Sequence, residues 1–216
     1  MGLWDSFCSV CSSACSVISS AVAFIGSAVA NVATEVVNLG VELAEKVGEV
    51  IKAVGISLGI LNPDENIEEL GEKAMLSDKN PKDFESINDY IDHLRNNVTI
   101  DKEMFKNLDD KDLLARSAIG ASITLKGINE KLDTTVTPAF MAEVAKQELT
   151  ADQIVGTIKT YKENNLKTDD YGLYLKDELS INEGDKHSDA LVTAYQKLEP
   201  ELTTEQIEDK IMDLKD

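Results

Sequence analysis

The stretch that decides the fold runs from residue 6 to residue 34 and reads SFCSVCSSACSVISSAVAFIGSAVANVAT. It carries no charged side chain over 29 residues, although the whole chain has 40 acidic and 21 basic residues and a net charge of −19. As one continuous helix it would be about 43 Å long, which exceeds the roughly 30 Å hydrocarbon core of a bilayer. Its length therefore permits a membrane span.

The composition of this stretch makes such a span marginal. From Ser16 to Thr34 the sequence contains seven strongly apolar residues and six polar residues, and the other six are Ala or Gly. The apolar residues contribute only about −2 to −4 kcal/mol to insertion, before the polar costs. Small residues recur every four positions, as at Ser19, Ala23 and Ser27, and such rows allow helices to pack closely in lipid or in a tight bundle. The stretch is therefore compatible both with lipid and with the interior of a helical bundle.

The following stretch, residues 36–61, has the pattern of an amphipathic helix. Apolar residues recur at three- and four-residue steps, and Glu42, Glu45 and Glu49 occupy the opposite face. We therefore predict that residues 1–61 form a hairpin of one uncharged and one amphipathic helix, with its turn near residues 33–40. Close helix packing is expected at Gly26, Gly40, Gly48, Gly55 and Gly59.

From residue 62 the composition changes and helix start signals become frequent. Proline follows a capping residue at Asn62, Asn80 and Thr137, and capping boxes begin at Thr150 and Thr203. The segment 110–132 has few charges over a long apolar stripe, so we predict that it is a central helix. The fold class is all-α: an N-terminal apolar and amphipathic helical hairpin (1–61) followed by an acidic multi-helix bundle (62–216). Predicted helices lie near 64–76, 82–97, 101–107, 110–132, 138–148, 151–164, 169–180, 185–198 and 203–215.

Charge and composition narrow the classes of partner. Residues 62–216 carry 35 acidic and 19 basic side chains, a net of −16. Such a surface repels nucleic acid and anionic lipid headgroups, keeps the protein soluble and is compatible with a basic partner. Aromatic residues make up 5% of the chain, so the core is expected to be aliphatic.

Three cysteines, Cys8, Cys11 and Cys15, would share one face of a helix. A metal site would need a ligand from elsewhere, and we interpret these thiols as small packing residues, with no cofactor and no metal. The Gly2 to Ser6 spacing fits the N-myristoylation pattern, which makes Gly2, Cys8, Cys11 and Cys15 candidate lipidation sites. The first basic residue is Lys46, so no Sec-type signal is expected.

No recognised catalytic motif occurs, and the protein is predicted not to be an enzyme. His93 and His187 are expected on solvent-exposed helix faces. The plan of a small-residue hairpin before a soluble helical domain resembles that of pore-forming or translocated bacterial effectors.

Two functional hypotheses follow. The first is a membrane-associating protein, for example a secreted effector or toxin accessory, whose residues 7–61 meet the bilayer and whose acidic domain binds a protein partner or chaperone. The second is a cytoplasmic or non-Sec-secreted interaction protein whose N-terminal helices form a homo- or hetero-oligomeric interface. The predicted membrane or assembly face is Trp4, Phe7, Val22, Phe24, Ile25, Val29, Leu43, Val47, Val50, Val54 and Leu58.

Overall fold

The computed structural model describes the backbone of residues 3–215 and the side chains of residues 9–215. The chain is 75% helical, and the described residues contain twelve α-helices and no strand. This confirms the all-α class. The helices are α1 (Leu3–Ile25), α2 (Ser27–Asn38), α3 (Val41–Ser57), α4 (Ile67–Leu76), α5 (Ile87–Asn97), α6 (Lys102–Lys106), α7 (Asp110–Leu132), α8 (Pro138–Lys146), α9 (Ala151–Glu163), α10 (Tyr171–Leu175), α11 (Ile181–Leu198) and α12 (Thr204–Asp213), with 3-10 helices at Pro81–Asp83 and Thr168–Asp170.

Local capping sets most of the helix starts. Thr137, Thr150 and Thr203 accept hydrogen bonds from the backbone N–H three residues later, as their sequence signals predict. Two of the predicted start signals, at Asn62 and Asn80, do not begin an α-helix. After Asn62 the chain forms a turn, and α4 begins only at Ile67, behind the cap residue Asn66. Asn80 caps the short 3-10 helix at Pro81–Asp83.

The N-terminal segment contains three helices instead of the two of the predicted hairpin. The chain breaks at Gly26, with φ of 78°, and again at Gly40, with φ of 92°, and L side chains rarely adopt either conformation. The Sγ atom of Cys15 lies 3.9 Å from Oδ1 of Asn38, so α1 and α2 run antiparallel on either side of Gly26. The first reversal therefore falls at Gly26, and the second break lies at the end of the predicted 33–40 interval.

The chain divides into two compact units, Met1–Lys131 and Leu132–Asp216. This division falls in a different place from the compositional change at residues 61 and 62, and a separate role for residues 1–61 stays a prediction. In the first unit α7 is central, as predicted, with 12 buried residues on several faces. Gly48 and Gly55 of α3 approach α7 at Ser117 and Thr124, and Gly71 of α4 crosses it at Arg116.

The buried residues of the chain are mostly aliphatic, as expected from its composition, and the core of the second unit contains in addition a cluster of aromatic rings, which we call the aromatic cluster. The helices α9 and α11 pack together, and α12 packs against α11. Rings of Phe140 and Tyr171 meet at 5.4 Å, and those of Tyr171 and Tyr161 at 6.3 Å. Four of the five tyrosines of the chain lie in this unit, where Tyr174 and Tyr195 are buried as well.

Candidate functional site

The predicted membrane or assembly face divides into buried and exposed residues. Ile25, Val29, Val47 and Val54 are buried in the core of the first unit, so they are not available on its surface. Leu43, Val50 and Leu58 are half-buried. The exposed members are Phe24, at 48% exposure, and Val22, at 37%. Trp4 and Phe7 lie outside the residues whose side chains the structure describes.

The surface formed by residues 9–34 of α1 and α2 carries no charged side chain. We call its exposed side chains the uncharged surface. Exposed charged residues begin only at Glu35. The uncharged surface consists of Ser9, Ser12, Ser16, Ser19, Ser20, Val22, Ala23, Phe24, Ser27, Ala28 and Asn31.

Two serines of the uncharged surface donate hydrogen bonds to their own helix. The hydroxyl of Ser16 donates to the carbonyl oxygen of Ser12 at 3.0 Å, and that of Ser20 to the carbonyl oxygen of Val17 at 2.7 Å. Thr34, at the far end of α2, donates to Ala30 in the same way. Because these donors are already satisfied, covering the surface does not leave them unpaired.

The tip of the α1–α2 hairpin is held by Asn80. Its Nδ2 donates to the carbonyl oxygens of Ala23 and Phe24, at 3.3 and 3.1 Å. Carbonyl oxygens in the last turn of a helix have no partner within the helix itself, so Asn80 supplies the donor that α1 lacks at its end. A Cβ at Gly26 would lie 3.1 Å from Oδ1 of Asn80, so a side chain there would crowd this contact. The exposed Phe24 therefore projects from a fixed helix end.

The five glycines predicted to permit close packing have different roles. A Cβ at Gly55 would lie 2.7 Å from Cγ2 of Thr124, and one at Gly48 would lie 3.4 Å from Oγ of Ser117. These two glycines lie where α3 approaches α7. Gly26 and Gly40 are helix breaks, and Gly59 follows the end of α3; a Cβ at Gly40 would meet no atom within 4 Å.

Among the glycines of the first unit, the closest approaches to another backbone occur at two that the sequence pattern did not single out. A methyl group at Gly71 would overlap the carbonyl oxygen of Arg116, and one at Gly120 would overlap that of Ile67. The two contacts form one crossing of α4 and α7. Glycine at interior positions of two helices is a signal that could have identified it, since glycine is otherwise costly there.

The cysteines contribute no metal site among the residues described. Cys11 and Cys15 are free thiols and half-buried, and burial together with the Cys11 thiol raises the pKa of Cys15, which lowers its thiolate fraction. No cluster of three or more His, Cys, Asp or Glu side chains in the described part of the chain could hold a metal ion. Gly2 and the Cys8 side chain lie outside the described residues.

His187, which was expected on an exposed face, is 2% exposed and lies in the aromatic cluster of the second unit. Its Nδ1 is 2.9 Å from the hydroxyl of Tyr161, and its ring stacks on Tyr174 at 5.9 Å. His93 is half-buried against Phe84. The expectation for His187 was wrong because His187 lies on the buried face of α11. The other buried residues of this helix follow it at helical spacing: Ala190, Leu191, Ala194 and Tyr195.

Burial lowers the pKa of His187, and the carboxylates of Asp170 and Glu183 partly oppose this shift. The imidazole is therefore held neutral against Tyr161. Two hydroxyls nearby, of Tyr171 and Tyr195, are buried without a hydrogen-bond partner in the described residues. The cluster offers no exposed nucleophile, and its geometry is that of a packed core.

Within the described residues, no helix is long and apolar enough to cross a bilayer. Comparison of the chain with protein-family models, with curated proteins and with solved structures gives no match.

Proposed function

We propose that the protein acts by binding, and that it assembles with a second copy of itself through the uncharged surface of α1 and α2. The observation that carries the proposal is the contrast between this surface and the rest of the chain. Two copies with a net charge of −19 each repel one another, and the repulsion is least where no charged side chain is exposed. Phe24 and Val22 supply the exposed apolar contact.

The internal bonds of the serines support the same proposal. An interface of small residues lets two helices approach closely, and hydroxyls that donate within their own helix need no partner across the interface. The apolar side chains of Ile25 and Val29 are buried, so they pack α1 and α2 into the core of the first unit. Assembly of this kind requires no unpacking of the core.

The substitution Phe24→Glu tests this proposal. A carboxylate at the centre of an apolar contact is desolvated without a partner, so we expect association to weaken by about tenfold or more. The measurement is the molar mass of the full chain by sedimentation velocity over about a hundredfold range of concentration, because assembly depends on mass action.

The matched control is Ile181→Glu. Ile181 is 84% exposed and begins α11, where the helix dipole favours a negative charge, so the change alters surface charge and apolarity without touching the uncharged surface. We expect this variant to assemble like the parent chain. A parent chain that stays monomeric at every concentration, or equal loss in both variants, contradicts the proposal.

A second candidate function, association with a bilayer surface, is favoured by the position of Phe24 and Val22 beside the hairpin tip at Gly26. Here the uncharged surface would lie on the lipid headgroups, since four residues of the predicted face are in the core. Flotation of the full chain with vesicles of neutral lipid distinguishes the two candidates. Flotation that is lost in Phe24→Glu and kept in Ile181→Glu supports the bilayer, whereas a discrete oligomer that stays out of the lipid fraction supports assembly.

A further inference from the structure

A groove of about 910 Å³ lies on the first compact unit, lined by residues of α3, α4, α6 and α7 and by Val10 of α1. Its floor is apolar: Ile67 and Leu114 are buried, and the others are half-buried. The floor is formed by Val41, Ile67, Phe105, Leu113 and Leu114. None of these residues belongs to the uncharged surface, so the groove is a separate feature of the unit.

The rim of the groove is acidic. Glu45, Glu49, Glu68 and Asp110 lie around it with a single base, Lys52, which leaves a net charge of −3. Over residues 9–215, none of these five side chains is in an ion pair, whereas Glu42 on the same helix pairs with Lys46 at 3.5 Å. Among the described residues, no carboxylate of the rim is therefore neutralised by an ion pair.

Two of the four carboxylates lie in the first turn of a helix and two do not. Glu68 and Asp110 lie in the first turns of α4 and α7, where the helix dipole favours negative charge. Glu45 and Glu49 lie in the interior of α3, one turn apart on the same face, where like charges at this spacing repel each other. A cation bound above α3 would remove that repulsion.

The shape of the groove suits a helix. Its α3 side runs from Val41 to Lys52, about 17 Å at roughly 1.5 Å per residue, or about three helical turns. Binding of an extended peptide by strand addition needs a sheet edge, and the described residues form no strand. An amphipathic helix, in contrast, places apolar anchors into such a groove at three- and four-residue steps.

We propose that this groove binds an amphipathic helix with a basic face, supplied by another protein. The apolar face of that helix would cover the floor around Phe105 and Leu113, and its Lys or Arg side chains would lie over Glu45 and Glu49. Charge complementarity selects this occupant over a second copy of the chain, whose net charge of −19 opposes approach to an acidic rim. The inference does not depend on the proposed assembly.

The test is fluorescence anisotropy of a labelled model helix of about 14 residues, or about four turns, in which Leu forms one face and Lys the other. A peptide of the same composition in scrambled order keeps the charge and removes the apolar face. The protein is the full chain, its double variant Glu45→Gln with Glu49→Gln, and the single variant Phe105→Ala. The matched control is Glu201→Gln with Glu208→Gln, which removes two exposed charges that are not among the residues lining the groove.

We expect saturable binding of the amphipathic peptide and weakening by at least about fivefold in Glu45→Gln with Glu49→Gln and in Phe105→Ala, since one set removes rim charge and the other the floor. The control should stay within about twofold of the parent, with circular dichroism confirming that every variant is folded. Equal weakening in both double variants, equal binding of the scrambled peptide, or no saturable binding overturns the proposal. Each of those outcomes is independent of whether the chain assembles.

Discussion

His187 shows how a single side chain depends on the fold around it. Its imidazole is nearly inaccessible, bonded to the hydroxyl of Tyr161 and stacked on Tyr174. A charged imidazolium in this place would lose its hydration, which is why burial lowers the pKa of His187 below its ordinary value of 6.5. The folded protein therefore binds a proton at this residue less readily than the unfolded chain does.

This difference predicts that acid destabilises the second unit. Because the unfolded state takes up the proton first, the free energy of unfolding is at its full value above the unfolded pKa of His187 and falls as the pH drops from there toward the lower folded pKa. We expect unfolding, followed by the near-ultraviolet circular dichroism of the tyrosines, to need less denaturant at about pH 5.5 than at about pH 7.5, on either side of the ordinary His pKa.

The substitution His187→Leu isolates this effect. The variant should lose the part of the pH dependence that comes from His187, even where the lost Tyr161 bond lowers its stability at neutral pH. The control is His93→Leu, because His93 is only half-buried and lies against Phe84 in the first unit. An unchanged pH dependence in His187→Leu would show that other groups cause the acid sensitivity.

At the scale of elements, the crossing of α4 and α7 depends on two glycines. Gly71 and Gly120 bring the backbone of each helix against carbonyl oxygens of the other, at Arg116 and Ile67. Beside the crossing, the guanidinium of Arg116 pairs with the carboxylate of Glu72, and both side chains are largely buried. The close approach and the ion pair thus lie on neighbouring turns of the same two helices.

Gly120→Ala should separate these helices. Because the added methyl group would overlap backbone atoms, which cannot move aside as a flexible side chain can, we expect the free energy of unfolding to fall by about 1–3 kcal/mol. The matched control is Gly184→Ala in α11, where a Cβ meets no atom within 4 Å. There alanine should stabilise the helix, by about 0.5–1 kcal/mol. Urea unfolding of both variants measures the effect, and a Gly120→Ala chain as stable as the parent would contradict the crossing.

At the scale of the whole molecule, charge separates the two proposed binding surfaces. The uncharged surface brings together two chains of like charge, so added salt screens their repulsion and should strengthen assembly. The groove attracts an oppositely charged helix, so the same salt should weaken that binding. Opposite responses to salt therefore distinguish one surface from the other in the full chain.

The sequence alone determined the helical class and most helix starts in the second half of the chain. The starts after Thr137, Thr150 and Thr203 were predicted because a capping side chain bonds to backbone only three residues away, which is a local event. The uncharged character of residues 9–34 is likewise legible in the sequence, since no fold can place a charge where none is encoded.

Only the tertiary structure decided which apolar residues are covered. The sequence placed Val47 and Phe24 together on one predicted membrane or assembly face, but the fold buries Val47 and leaves Phe24 at 48% exposure. The groove rim and the crossing at Gly71 and Gly120 likewise join residues from helices distant in sequence. The physical reason is that the spacing of apolar residues determines which face of a helix they occupy, whereas their burial depends on which other helix packs against that face.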